Sequence, residues 1–258
     1  MHHSKGLCKL CLQDKKLIKA HIIPEGFFRL LRDEDIAPEM HSNTPGSFPK
    51  RMQVGVYDST ILCSECDQKM APWDGYGQEV LIHRFSQAVE VSHQGKPIAW
   101  TIENIEYRRL KLFFMSVLWR ASVSKQSFFK RISLGPFEDQ LRLLVMNEDL
   151  GDSQNFSFIL GRFEDIELKA MLDPHREKFD GVNYCRFYLP GYVAYIKVDK
   201  RPAPTSLADV CFQENKPLLI LAHTLGNRTD GRVMREIAES AWAQKTKKKA
   251  QINEGGAV

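Results

Sequence analysis

The sequence lacks any apolar run approaching the roughly 18 residues that a membrane-spanning helix needs. Its first residues, Met1-His2-His3-Ser4-Lys5, contain no apolar stretch of the kind found in a secretory signal. No internal repeat is present. We therefore expect a soluble, cytoplasmic protein without a membrane partner.

The sequence also has little net charge. Its 36 basic and 32 acidic residues leave a formal charge of +4. Such a mild excess permits nucleic-acid binding without indicating it, because most basic side chains are simply solvated. A hydrophobic content of 43% over 258 residues is enough for one large packed domain or two small ones.

Cysteines are few, but four of the six form two matched Cys-x-x-Cys pairs, Cys8/Cys11 and Cys63/Cys66. Such a turn presents two thiolates on one side of the chain, and two turns complete the tetrahedron that zinc prefers. The pairs therefore predict one structural Zn²⁺ site. Two other interpretations stay open, namely redox-active pairs or a coincidental spacing.

Patterning along the chain predicts an α+β protein. We expect a zinc-bound module over 1–95, a helical segment over 96–150, an antiparallel β-containing part with helix over 151–245, and a basic, disordered tail over 246–258. Hydrophobic spacing predicts helices and strands in the following ranges: helices at Glu103–Ser124, Phe137–Asn147 and Arg232–Gln244; strands at Phe156–Phe163, Asn183–Leu189, Tyr192–Val198 and Pro217–Ala222, with a hairpin turn at Pro190-Gly191.

Two motifs lie in and beside the cysteine pairs. Lys19-Ala20-His21-Ile22-Ile23-Pro24 stands between them, and Asp58-Ser59-Thr60-Ile61-Leu62-Cys63-Ser64-Glu65-Cys66-Asp67 spans the second pair. Together they resemble the HNH endonuclease family, in particular bacterial proteins in which an acidic residue follows the second pair. The resemblance covers roughly residues 7 to 150 and is specific around the cysteines and His21.

The resemblance implies a zinc-stapled ββα-metal module with His21 as general base. Asp58 stands where the family has its central Asn, Asp67 where it has a metal-binding His, and Ala20 where it has a metal carboxylate. Carboxylate oxygens suit Mg²⁺ or Mn²⁺, so Asp58 and Asp67 are expected to hold a catalytic divalent ion. Asp74 would add a third oxygen if it shared a helix with Asp67, although Pro72 argues against a continuous helix.

The expected activity is metal-dependent hydrolysis of DNA phosphodiester bonds, in which an imidazole takes a proton from the attacking water. Lys19, Arg29, Lys50 and Arg51 are expected to contact phosphates. A role in bacterial defence or mobile-element biology would suit the resemblance, as would a homodimer or a partner protein.

Other interpretations stay open. Ala20 and the missing second His favour a non-catalytic, zinc-stapled nucleic-acid-binding module, and the mild charge favours a protein-interaction module. Glu79 and His83, four residues apart, form either an ordinary helix-surface pair or additional metal ligands. Arg120 follows an apolar stretch and is expected to cap its helix, pair with an internal carboxylate or contact substrate.

Overall fold

The computed structural model describes residues 5–31, 39–41, 50–51, 55–163 and 171–223. The predicted helix at 232–244 and the predicted tail over 246–258 lie outside these ranges. Within them, no helix combines the length and apolar character required to cross a membrane.

The described elements alternate between short ribbons, long helices and one large sheet. The helices are α1 Glu25–Arg29, α2 Ser64–Gln78, α3 Tyr107–Val123, α4 Phe137–Asn147 and α5 Thr205–Ala208. The strands are β1 Lys5–Leu7, β2 Asp14–Lys16, β3 Ala20–His21, β4 Glu39–His41, β5 Lys50–Arg51, β6 Tyr57–Asp58, β7 Val89–His93, β8 Lys96–Ile102, β9 Phe158–Phe163, β10 Met171–Leu172, β11 His175–Phe179, β12 Val182–Leu189, β13 Tyr192–Lys197 and β14 Leu218–His223.

The large sheet has seven strands in the order β11-β12-β13-β9-β14-β8-β7. The predicted hairpin at Pro190-Gly191 is confirmed, since β12 and β13 pair antiparallel up to Leu189 and Tyr192. Gly191 has a φ of +77°, a conformation that glycine adopts without a steric penalty. The sheet is not wholly antiparallel as predicted, because β14 lies parallel to β9.

Two strands of this sheet lie outside the predicted β-containing part. β7 lies in the predicted zinc-bound module, and β8 lies in the segment predicted to be helical. β7 and β8 form a hairpin whose turn at Gln94 and Gly95 has positive φ at both positions, 51° and 74°. This combination matches the right-handed twist of a two-residue hairpin. Because β8 pairs with β14, the sheet draws strands from both sides of the predicted boundaries at 95 and 150.

Helix α3 lies at the centre of the molecule. Its residues from Leu110 to Ala121 are all buried, as its apolar sequence predicted. On one side Phe113 stacks on Phe27 at 6.0 Å between ring centroids, and on another Phe114 contacts Phe158 of the sheet at 4.3 Å. The helix therefore joins the cysteine-containing region to the sheet through one core.

Helix α2 is continuous from Ser64 to Gln78, so the expectation that Pro72 interrupts it is wrong. Pro72 has no backbone N–H, so the carbonyl of Gln68, four residues earlier, loses its helical donor. Both residues are exposed to solvent, where water can donate to that carbonyl instead. Further along, α2 crosses α3 at Gly77, where a Cβ would lie 2.6 Å from the Phe113 ring. Glycine is required at this crossing.

Candidate functional site

The two cysteine pairs meet at one point. Cys8 and Cys11 lie in the turn between β1 and β2, while Cys63 and Cys66 lie at the start of α2. Their four sulfur atoms all fall within 4.8 Å of one another. Backbone bonds hold the two chain segments together, with Lys9 N donating to the Ile61 carbonyl at 2.8 Å.

The four thiols fit a structural zinc ion. A tetrahedral site with zinc–sulfur distances of about 2.3 Å has sulfurs about 3.8 Å apart, within the observed spread. Burial tends to raise the pKa of Cys8, but hydrogen bonds at Cys11, Cys63 and Leu10 outweigh it and lower that pKa to about 7. Burial raises the pKa of Cys66, and the neighbouring Cys63 and Cys8 raise it further. Several thiolates close together repel one another, and a bound zinc cation would neutralise their charge.

Next to this cluster, a short ribbon and α2 bring the predicted nuclease residues together. β3 pairs antiparallel with β6, with His21 opposite Tyr57 and Ala20 opposite Asp58. Residues that are directly opposite share a face, so His21 and Tyr57 lie on one face and their rings contact edge-on at 6.3 Å. The chain then enters α2 at Ser64, completing a strand–strand–helix arrangement.

Arg120 of α3 ties this arrangement together. Its side chain is 1% exposed and forks onto Asp74 of α2, at 2.8 Å to Oδ2 and 2.6 Å to Oδ1. The same guanidinium donates to the His21 carbonyl at 2.9 Å and to Ser116 within its own helix. The predicted pairing with an internal carboxylate is confirmed. Arg120 therefore fixes the backbone of His21 relative to both helices.

Asp67 is the predicted carboxylate nearest the start of α2. It lies in the first turn of α2 and is half-buried. Burial raises its pKa, Arg120 and His21 lower it, and Asp74 raises it, so these groups all lie within electrostatic range. No side chain or amide among the described residues donates a hydrogen bond to its carboxylate. Among the described residues, therefore, neither oxygen is taken by a donor.

Asp58 has a different environment. It is 2% exposed, and its carboxylate accepts bonds from Thr60 N at 2.9 Å, Thr60 Oγ1 at 2.7 Å, Ser124 Oγ at 2.9 Å and Lys125 N at 2.9 Å. Burial tends to raise its pKa, but these hydrogen bonds outweigh burial and lower it. The carboxylate expected to hold the catalytic ion instead anchors the chain after α3.

Asp74 likewise differs from the expectation. It shares α2 with Asp67, seven residues away, which places it about 10.5 Å further along the axis on the same face. Both of its oxygens bond Arg120. Asp67 is thus the one of the three predicted carboxylates whose oxygens are not held by described donors.

The predicted phosphate contacts are only partly described. The Lys19 ammonium lies 5.1 Å from the centre of the Tyr57 ring, beside His21. Arg29 pairs with Glu25 four residues earlier on α1, at 3.3 Å. Lys50 and Arg51 form β5, and their side chains lie outside the described part of the chain.

Glu79 and His83 are both exposed on the π-helical turn that follows α2. At a helical rise they lie about 18 Å or more beyond Asp67, too far to share its cation. The interpretation as an ordinary surface pair is the one that this geometry favours.

Two features were not recognised from sequence as parts of the site, the bond from Arg120 to the His21 carbonyl and the anchoring of Lys125. The sequence signal for the first was Arg120 itself, a charged residue after the apolar stretch of α3, and the second had none. Comparison with protein-family models, curated proteins and solved structures finds no match to this chain. Functional inference therefore depends on the geometry itself.

Proposed function

We propose that this protein hydrolyses phosphodiester bonds in DNA, with a divalent ion beside Asp67 and with His21 as general base. The observation that carries the proposal is the approach of His21 on a two-stranded ribbon to Asp67 on the following helix, next to a four-cysteine cluster. A ribbon followed by a helix is the order expected of the ββα-metal module of HNH endonucleases, which the two sequence motifs resemble.

In this mechanism the His21 imidazole takes a proton from the attacking water. Arg120 donates to the His21 carbonyl and Asp74 accepts from Arg120. The His21 backbone, from which the imidazole extends, is therefore held in position. A Mg²⁺ or Mn²⁺ ion, when bound, would stabilise charge on the scissile phosphate and on the leaving 3′ oxygen. One protein carboxylate is enough, because Mg²⁺ often binds through one or two carboxylates together with substrate phosphates.

Plasmid cleavage with added Mg²⁺ or Mn²⁺ tests the proposal. Wild type should nick or cut in a metal-dependent manner and leave 5′-phosphate and 3′-hydroxyl ends. His21→Ala should lose this activity while retaining its zinc content and its circular dichroism spectrum. His83→Ala is a matched control, since it removes an exposed histidine remote from Asp67 and should cut like wild type. Equal activity in wild type and His21→Ala would refute the proposal.

A second candidate is a nucleic-acid-binding module that does not cut. The observation in its favour is that Asp58 and Asp74 are held by hydrogen-bond donors, which leaves Asp67 as the available carboxylate. It predicts salt-dependent binding with no metal-dependent cleavage of duplex, single-stranded DNA or RNA. A cytoplasmic location, a defence role and a homodimer or protein partner stay predictions.

A further inference from the structure

Arg162 lies among aromatic rings beside the β12–β13 hairpin turn. It belongs to β9 and stands directly opposite Tyr192 of β13, so the two side chains share one face of the sheet. The central carbon of its guanidinium lies 3.7 Å from the centre of the Phe85 ring and 4.9 Å from the centre of the Tyr192 ring. Contact with two rings restricts the orientation of the guanidinium.

Two other arginines of the described chain lie over tyrosine rings, and both have a carboxylate partner. Arg109 pairs with Glu106 at 3.0 Å, and Arg186 pairs with Glu177 at 3.5 Å. Arg162 differs from them, because no carboxylate or carbonyl within the described ranges accepts a hydrogen bond from it. Its guanidinium therefore has N–H groups that the described chain does not use.

The hydroxyl of Tyr192 is a second donor at the same place. Tyr192 is 2% exposed, and the described chain supplies no acceptor for its buried hydroxyl. Burial raises the pKa of Tyr192 to about 12, and the adjacent Arg162 offsets burial only in part. The hydroxyl therefore keeps its proton at neutral pH. Because buried donors are normally bonded, this pair of donors indicates an acceptor that the described chain does not contain.

A ligand can reach this pair from solvent. Phe85, Trp100 and Arg162 are each only half-buried, and the rings of Phe85 and Trp100 contact edge-on at 5.5 Å. Nη1 of Arg162 lies against the turn at Gly191, where an added Cβ would be 3.5 Å from it. Phe85 follows the end of α2, whereas Asp67 lies in its first turn, so this place is separate from the proposed site of hydrolysis.

We propose that Arg162 and Tyr192 form an oxyanion site that binds the phosphate group of a nucleotide, either free or within a nucleic-acid strand. A guanidinium presents parallel N–H groups that match two oxygens of a phosphate, and the Tyr192 hydroxyl donates to the same group. Stacking on Phe85 reduces the freedom that the guanidinium loses on binding. The choice of phosphate among oxyanions rests on the proposed function, but the site takes no part in cleavage.

Two binding measurements without Mg²⁺ or Mn²⁺ test the inference. Calorimetric titration with adenosine monophosphate tests the free nucleotide, with adenosine as the probe that lacks the phosphate. Fluorescence polarisation with a labelled single-stranded oligonucleotide, over a series of salt concentrations, tests the strand. For the probe that binds, Arg162→Ala should weaken binding at least about tenfold, because charge-assisted hydrogen bonds are strong. For the strand it should also lower the slope of log K against log salt by about 0.7.

Two further variants separate binding from folding. Tyr192→Phe should weaken binding without changing the salt slope, since it removes a neutral donor and keeps the ring. Arg109→Ala is the matched control, because it also removes an arginine that lies over a tyrosine ring but has a carboxylate partner. It should bind like wild type. Circular dichroism identifies any variant that does not fold, and Tyr192→Phe decides the question if Arg162→Ala is unfolded.

The inference would be overturned if wild type bound neither probe, if it bound adenosine as tightly as adenosine monophosphate, or if Arg109→Ala lost as much affinity as Arg162→Ala. Undiminished binding in folded Arg162→Ala, or in Tyr192→Phe, would also overturn it. Binding of one probe alone identifies the source of the phosphate. Binding that depends on Arg162 without any cleavage supports this inference while removing the proposed hydrolysis, so the two can fail separately.

Discussion

Replacing Asp74 by Asn should destabilise the fold strongly. The change is isosteric and leaves no cavity, but it removes the negative charge that the buried Arg120 guanidinium contacts at 2.6 and 2.8 Å. Arg120 is 1% exposed and Asp74 17% exposed, so solvent can do little to replace the lost partner.

Removing one member of a buried ion pair costs about 3–5 kcal/mol, mostly because the other charge stays buried without a partner. The partial exposure of Asp74 favours the lower end, about 3 kcal/mol. For a chain of this size, that corresponds to a fall in Tm of about 6–12 °C.

Urea denaturation of wild type and Asp74→Asn, followed by circular dichroism, measures the difference in the free energy of unfolding. Glu106→Gln is the matched control, since it breaks the surface pair of Glu106 with Arg109, whose side chains are 58% and 39% exposed. Exposed pairs contribute less than about 1 kcal/mol. A loss in Asp74→Asn no greater than that in Glu106→Gln would refute the buried-clamp argument.

Two further predictions concern the cysteine cluster and pH. Cys63→Ser should abolish stoichiometric zinc, measured by elemental analysis of purified protein, and should destabilise the fold, while Cys211→Ser should retain zinc; full zinc content in Cys63→Ser would contradict the four-thiolate site. Because folding lowers the pKa of Asp58, its contribution to stability is present above the unfolded pKa and is lost as pH falls through the folded one. The stability gap between wild type and Asp58→Asn should therefore shrink on acidification, and a gap that stays constant with pH would exclude this linkage.

Local patterns predicted much of this structure. Helix α4 occupies Phe137–Asn147, as its hydrophobic spacing indicated, because an apolar period specifies a helix face within a few turns. The convergence of the four cysteines was predictable for a related reason, since two Cys-x-x-Cys turns have few chemically sensible arrangements other than a shared metal.

The partners of the carboxylates could not be predicted in the same way. Asp58, Asp67 and Asp74 have the same side chain. Their environments differ because the hydrogen-bond donors that surround them come from residues distant in sequence. Ser124 and Lys125 lie more than 60 residues beyond Asp58, and Arg120 lies 46 residues beyond Asp74. Tertiary packing, rather than motif spacing, decides which carboxylate remains open.

The β7–β8 hairpin shows a similar limit. Its strands alternate weakly, and β7 is exposed at all five positions, so no buried face appears in its sequence. Its place in the sheet depends on pairing with β14, more than 110 residues later. Such long-range pairing is not encoded in a local period.

The most direct test of the central claim is the single-turnover cleavage rate of duplex DNA with Mn²⁺, compared between Asp67→Asn and Asp58→Asn at saturating protein. The account predicts that Asp67→Asn loses cleavage at least about a hundredfold, since the available metal carboxylate is gone. Asp58→Asn should cut bound DNA at close to the wild-type rate, because the Asp58 carboxylate is held by Thr60, Ser124 and Lys125. Undiminished cleavage in Asp67→Asn, or abolished cleavage of bound DNA in folded Asp58→Asn, would contradict the account.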